Sequence, residues 1–327
     1  MKSSSIKGVL FEIVVLKLVL MSGYSLIDDV FIDGRNIIKK GKRIYEFKGR
    51  GEFHQIDVPV DLNYRPCFTY PIRLLGETKF YRYKLDKSFI RHEIGKMKDI
   101  QENYFVTGNV NEEMRQRRRL EIFAFFAANG FNLGAENLAY AHGIKTISYE
   151  NNYCIRKIII IIETLTEVIS ELSDEEQSKF IDDFYDCLIC GSEILSFSAI
   201  GQYFSTYLDD THIRTSIIGT TSTGLTINFL SEDDFPSHFF KDKDYVYCRI
   251  MSNGKKEWYA ELQNTNFRLY FSMPKIILKE SFVKDGVRLY PKKAHEFEKI
   301  FFKRNIDGIS RDLELRFDYD WFDTYLE

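Results

Sequence analysis

Between Lys48 and Tyr81 the chain reads KGRGEFHQIDVPVDLNYRPCFTYPIRLLGETKFY, and several of these residues are of the types that phosphodiester hydrolysis requires. That reaction needs a metal ion held by hard oxygens, a water placed for in-line attack, and positive charge beside the phosphoryl oxygens. Read as alternating strands, the stretch sets Phe53, Gln55 and Asp57 on one face, and Arg73, Leu75, Glu77 and Lys79 on one face of the next. Asp57 and Glu77 then suit an ion, and Lys79 suits water positioning or charge neutralisation. Thr78 points the opposite way, but its backbone carbonyl could add a third oxygen. Gln55 shares the Asp57 face and would line the site, whereas His54 points away and reads as packing or support.

The tripeptide Glu-x-Lys is weak by itself, because a chain of this length carries about one by chance. A second copy, Glu46-Phe47-Lys48, even has Asp33 upstream in the same order. Asp33 lies in the turn-like segment DGRN at 33–36, and the basic run KKGKR intervenes, so this set ranks below the first. On spacing alone, Asp57, Glu77 and Lys79 would also serve as a cross-strand salt bridge.

The arrangement resembles the PD-(D/E)xK nuclease superfamily, the restriction-endonuclease-like fold, and is most similar to its Mrr-like restriction endonuclease branch. The pieces that carry the resemblance are Gly49-Arg50-Gly51, His54-Gln55-Ile56-Asp57 and Arg73-Leu74-Leu75-Gly76-Glu77-Thr78-Lys79, with Ala135 to Tyr149 similar to the closing helix and strand. It covers about residues 1 to 150. Two departures are Ile56 where the superfamily name has Pro, and a Pro-containing loop within the 20 residues that separate Asp57 from Glu77.

The resemblance implies an α/β (α+β) core with a mixed central sheet flanked by helices. It implies that Asp57 and Glu77 bind Mg2+, or Mn2+ in its place, helped by the Thr78 carbonyl, and that Lys79 is catalytic. Glu12 falls where many family members place an extra acidic residue. A carboxylate in so apolar a helix also needs a partner, and Lys7 is the alternative to an active-site role. The implied activity is a metal-dependent DNA endonuclease, in restriction or anti-phage defence. The alternatives are a repair or junction-processing nuclease, and a non-cleaving nucleic-acid-binding or interaction protein that keeps the fold.

The elements that must position these residues are legible in outline. Residues 5–22 read as a buried helix ending at Gly23. Strands are expected at Leu26–Ile32, Arg43–Phe47, Phe53–Val58 and Ile72–Tyr81. The spacing of Ile90, Ile94, Met97 and Gln101 predicts a helix over Asp86–Asn103. A short strand at Tyr104–Thr107, the apolar run Arg118–Ala128, a helix at Gly134–Gly143 and a strand at Ile144–Tyr149 complete an α/β unit with some parallel pairing. Tract 112–119 reads as solvated. Residues 153–327 then read as a separate accessory domain: helices at Ile155–Leu172 and Ser173–Cys190, followed by short β-like runs from Thr215 to Phe271. The nuclease-like domain is expected over 1–152.

Composition bounds these readings. With 327 residues, 44% hydrophobic and 28% charged, the chain is globular and long enough for two domains. The net charge of −3 conceals a basic half and an acidic half. Residues 1–152 hold 24 Lys and Arg against 18 Asp and Glu, and residues 153–327 hold 21 against 30. DNA is therefore expected on the first half, and a protein partner on the second. A homodimer is expected because cutting both strands commonly needs two sites. The 5 cysteines are too few and too scattered for a disulfide framework, and Cys187-Leu-Ile-Cys190 reads as core packing. Glu12 and Lys17 interrupt the apolar start, so neither export nor a membrane span is expected, and a cytoplasmic protein is.

Overall fold

A computed structural model of the chain describes residues 3–27, 37–64, 68–106, 119–191, 213–253, 256–277 and 298–317. Asp33 and its turn at 33–36, the residues 28–32 of the first expected strand, Cys67 and the tract 112–118 lie outside them.

Helix α1 (Ser3–Met21) buries Ile6, Leu10, Phe11, Ile13, Val14, Val15, Leu16, Leu18 and Val19, which occupy every side of the helix. Such a helix is stable only when covered on all sides. It ends at Gly23, whose φ of +94° gives the left-handed stop that a side chain would resist. One side meets the main sheet and another meets α4 (Tyr153–Ser170).

The main sheet runs β1 (Tyr24–Leu26), β5 (Val58–Leu62), β6 (Ile72–Lys79), β7 (Leu120–Ala127), β8 (Lys145–Ser148) in spatial order. Strands β1, β5 and β6 pair antiparallel, and β6, β7 and β8 pair parallel. Parallel neighbours need a crossover. Helix α2 (Lys87–Val106) supplies it between β6 and β7, and α3 (Leu133–Ala141) between β7 and β8. Leu74, Ala124 and Phe126 look toward α1 and α4, while Leu75, Phe123 and Phe125 look toward Ile90, Met97, Ile100, Ala135 and Ala139. A smaller antiparallel sheet of β2 (Ile37–Lys40), β3 (Ile44–Lys48) and β4 (Phe53–Ile56) adds Ile37, Tyr45, Phe47 and Ile56 to that second core.

The structure departs from the sequence reading in several places. The strand expected over Phe53–Val58 is two strands divided at Asp57. Residues 104–106 of the strand expected at Tyr104–Thr107 belong to α2, which continues through Val106, and Thr107 lies outside the described residues. Helices α4 and α5 (Asp174–Tyr185) share one apolar cluster with α1 and the main sheet, through Ile155, Ile162, Phe180 and Phe184. By packing, the helical hairpin therefore covers the N-terminal core. Cys187 is half-buried and packs against this cluster, as its apolar surroundings suggested, whereas Cys190 is exposed.

The β-rich remainder is a closed seven-stranded barrel, in order β10 (Thr226–Ser231), β13 (Arg268–Phe271), β12 (Glu257–Leu262), β11 (Tyr245–Asn253), β15 (Ile309–Phe317), β14 (Lys299–Ile306), β9 (Thr215–Thr221). Closure leaves no strand edge exposed. Its interior is a separate cluster that includes Phe229, Phe240, Leu269, Phe271 and Leu315. Where the barrel meets the main sheet, Leu230 joins the apolar cluster of the sheet and the buried Tyr149 hydroxyl donates to Asn228 Oδ1 at 2.9 Å. Among the described residues no helix is long and apolar enough to cross a membrane.

Candidate active site

Asp57 occupies the bend where the chain leaves the small sheet and enters the main one. Its backbone N–H donates to the Gly76 carbonyl at 3.1 Å, although Gly76 is already opposite Val58. Two residues thus face one, which is the geometry of a bulge, a device that re-aims a side chain. Gly76 permits the close approach. A Cβ there would lie 2.7 Å from Val58 Cβ and 3.0 Å from Phe126 Cε2.

The same bend corrects one expected site residue. Alternation does not carry from β4 across Asp57, so Gln55 does not share the Asp57 face. It is exposed on β4 opposite Glu46, and among the described residues no hydrogen bond joins it to the carboxylates. His54 turns inward instead, with Nε2 2.7 Å from Asp99 Oδ2. Asp99 also accepts the Gly51 N–H at 2.9 Å, which fixes the Gly49-Arg50-Gly51 turn against α2.

Strand β6 runs past the start of β5, so Thr78 has no β5 partner across from it. Its N–H donates instead to Asp57 Oδ2 at 2.8 Å, and its hydroxyl to the same oxygen at 3.2 Å. The Gly76 carbonyl faces β5, and strand alternation directs the Thr78 carbonyl to that side, toward the Asp57 end. Glu77 and Lys79 share the face of Leu75, which packs toward α2. Lys79 Nζ donates to Glu77 Oε1, and Lys96 Nζ of α2 donates to Glu77 Oε2 at 2.6 Å. Lys96 is also 3.9 Å from Glu93.

Glu12 belongs to this group. Lys7, its alternative partner, pairs with Glu163 at 3.7 Å. Burial raises the Glu12 carboxyl to about 8, reinforced by the charges of Asp57 and Glu77 and opposed by Lys79 and Arg43. Burial and Glu77 likewise lift Asp57 to about 6, against Lys79, the Thr78 N–H and Lys96. Glu77 goes the other way: burial opposes its ionisation, but Lys96 and Lys79 hold it below its ordinary value. Burial opposes the charge on Lys79 as well, and Glu77 prevails in holding it up. The result is a cluster in which Lys96 and Lys79 hold the Glu77 carboxyl down while burial above all raises Asp57 and Glu12.

Two members of the cluster were missed by sequence reasoning. Glu93 is 7% exposed and is raised to about 7 by burial and by Glu77. Together with Lys96 it brings α2 into the site. The signal was present in the sequence, since Glu93 sits between Ile90, Met97 and Ile100 on the apolar stripe of α2, where a lone charge needs a partner. Of the cations that flank these strands, Arg50 pairs with Glu102 at 3.3 Å, Arg82 with Glu163 at 3.6 Å, and Lys84 with Glu150 at 2.6 Å.

The donor set suits a small hard cation. Among the described residues no group of three or more His, Cys, Asp or Glu is gathered for an ion. Asp57 keeps Oδ1 outside its Thr78 bonds, Glu77 is ionised, and a backbone carbonyl lies on the same side. Mg2+ typically takes one or two carboxylates, with water and substrate phosphate completing the octahedron, so these residues fit it.

No family model matches the chain, and no curated protein matches it. Among solved structures, a protein of unknown function, AF1548, is 13% identical over 56% of this chain and 99% of that one, with a TM-score of 0.30.

Proposed function

We propose that the chain is a metal-dependent nuclease that hydrolyses phosphodiester bonds in DNA. The observation that carries this reading is the convergence of Asp57, Glu77, Lys79 and the Thr78 backbone at the C-terminal end of β6, next to the parallel strand β7. In sheets of this kind the loops beyond the carboxyl ends of parallel strands open a crevice for ligands. The likeness to the PD-(D/E)xK pattern points the same way, and restriction or anti-phage defence is the biological setting it suggests.

In this reading Asp57, Glu77 and the Thr78 carbonyl hold Mg2+. The ion, when bound, supplies Lewis-acid stabilisation of the phosphoryl oxygens and lowers the pKa of a water. Thr78 fixes the Asp57 carboxylate through two hydrogen bonds to one oxygen, leaving the other to face the ion. Lys79, kept protonated by Glu77, orients the attacking water and neutralises developing charge. Lys96 shares the Glu77 carboxylate and would have to give up one of its oxygens for Glu77 to hold the ion. Glu12 and Glu93, raised to about 8 and about 7 by burial, hold protons near neutral pH and can release one as the cluster changes charge.

The test is incubation of supercoiled and linear plasmid with purified protein and Mg2+ or Mn2+, with and without EDTA, beside Asp57→Asn. Metal-dependent nicking that EDTA and the substitution both remove supports the reading. Cleavage that survives Asp57→Asn contradicts the assignment of the site.

A further inference from the structure

The loop that leaves β6 just after Lys79 carries an aromatic pile that the hydrolytic chemistry does not use. Phe80 anchors its start, packing edge-on against Phe11 with centroids 5.4 Å apart. Leu85 anchors its end, 1% exposed and donating its N–H to the Gly130 carbonyl at 3.0 Å. Between these anchors Tyr81 and Tyr83 stack on one another, with centroids 5.1 Å apart and planes 16° from parallel. Phe89 of α2 supports Tyr81 from below at 5.4 Å.

The pile ends in solvent. Tyr83 is 58% exposed and Tyr81 37% exposed. Arg82 stands between them with its side chain 85% exposed and its guanidinium 3.6 Å from Glu163, a surface ion pair that costs little to exchange for a phosphate. Tyrosines do not need to stack on each other in water to keep their hydroxyls hydrated. A fixed loop that orders two rings and leaves the outer one open is a surface that lacks its last layer. A flat, sequence-tolerant π-face flanked by a cation is the means by which single-stranded nucleic acid is held.

We propose that Tyr83, backed by Tyr81 and Phe89, stacks an unpaired nucleobase of the DNA strand, and that Arg82 contacts an adjacent phosphate. Lys79 is two residues before Tyr81, so the stacked base lies within a few nucleotides of the bond that the proposed site would cut. The preferred substrate is then DNA with an unpaired or extruded base, such as a single strand, a flap or a distorted duplex. Placement beside the scissile bond rests on the nuclease reading, but the stacking itself does not.

The experiment measures binding in EDTA, where no cleavage occurs, at one fixed salt concentration. The probe is an oligothymidine carrying a single 2-aminopurine, whose fluorescence is quenched on stacking, and it is compared with a blunt duplex. Wild type is expected to bind the single strand and quench the probe. Tyr83→Leu is expected to bind it about 5- to 140-fold more weakly, the loss of one stacked base, with the quench abolished. Tyr83→Phe, which keeps the ring, is expected to retain both. Failure of wild type to bind the single strand overturns the proposal. So does Tyr83→Leu binding within twofold of wild type, or losing the same factor on duplex and single strand. Tyr83 is exposed, and an unchanged melting temperature verifies that the variant is folded. Cleavage by wild type separates the two readings: a quench in EDTA without any metal-dependent cleavage would reject the nuclease and keep the stacking site, and metal-dependent cleavage without a quench would do the reverse.

Discussion

Glu12→Gln removes the charge that the fold accommodates least readily. The Glu12 carboxyl is lifted from 4.5 to about 8, chiefly by burial and then by Asp57 and Glu77. Between those two pH values the folded chain binds a proton that the unfolded chain releases, so stability falls as pH rises through this window. At pH 7 the mismatch costs about 3 kcal/mol, at about 1.4 kcal/mol for each pH unit above the ordinary value. A neutral amide of the same shape escapes that cost. The Gln variant should therefore be more stable than wild type by about 3 kcal/mol at pH 7, and by less than about 1 kcal/mol at pH 5. Urea unfolding at pH 5, 6, 7 and 8 measures the difference directly. A Gln variant no more stable than wild type at pH 7, or a gap that widens toward pH 5, would refute the placement of Glu12 among the site carboxylates.

Further outcomes follow from the same geometry. Lys96→Met takes away one of the two ammoniums on Glu77, a charged hydrogen bond of ~1.5–3 kcal/mol, and should tighten Mn2+ binding by roughly tenfold in calorimetry; unchanged or weaker binding would contradict the competition between Lys96 and the ion. Gly76→Ala sets a Cβ against Val58 and Phe126 and should destabilise the fold by about 1–3 kcal/mol in urea, so a loss below about 0.5 kcal/mol would show that β5 and β6 are not so closely apposed. Tyr149→Phe strips the donor from Asn228 Oδ1, which is buried between sheet and barrel, and should cost about 1–3 kcal/mol; a neutral result would mean that water reaches the contact.

What the sequence revealed, and what it hid, divides along sequence separation. Asp57, Glu77, Thr78 and Lys79 were legible because their placement depends on strand alternation within β6 and on one strand-to-strand pairing. Gln55 was misplaced by the same rule, because a single bulge at Asp57 resets the alternation, and the small Gly76 that permits it carries no hydrophobic signal. Lys96 reaches Glu77 only because α2 crosses back over the sheet, which no local pattern encodes. Glu93 announced itself as a charge on an apolar stripe but had no visible partner. Five of the barrel strands, between Thr215 and Phe271, were readable one by one, whereas β14 and β15 were not read. Closure of the barrel depends on pairs such as Ile300 with Thr221 and Tyr245 with Glu314, which lie far apart in the chain. The grouping of α4 and α5 with the N-terminal core was hidden for the same reason, since their apolar stripes fit a separate helical domain equally well.

The most direct test of the central claim is a side-by-side digestion of supercoiled plasmid with Mg2+ by wild type and by Lys79→Ala, each verified as folded by its melting temperature. The account predicts nicked or linear DNA from wild type and none from Lys79→Ala. Equal cleavage by the two proteins would contradict it, because the lysine that the structure sets between Glu77 and the open end of β6 would then have no part in the chemistry.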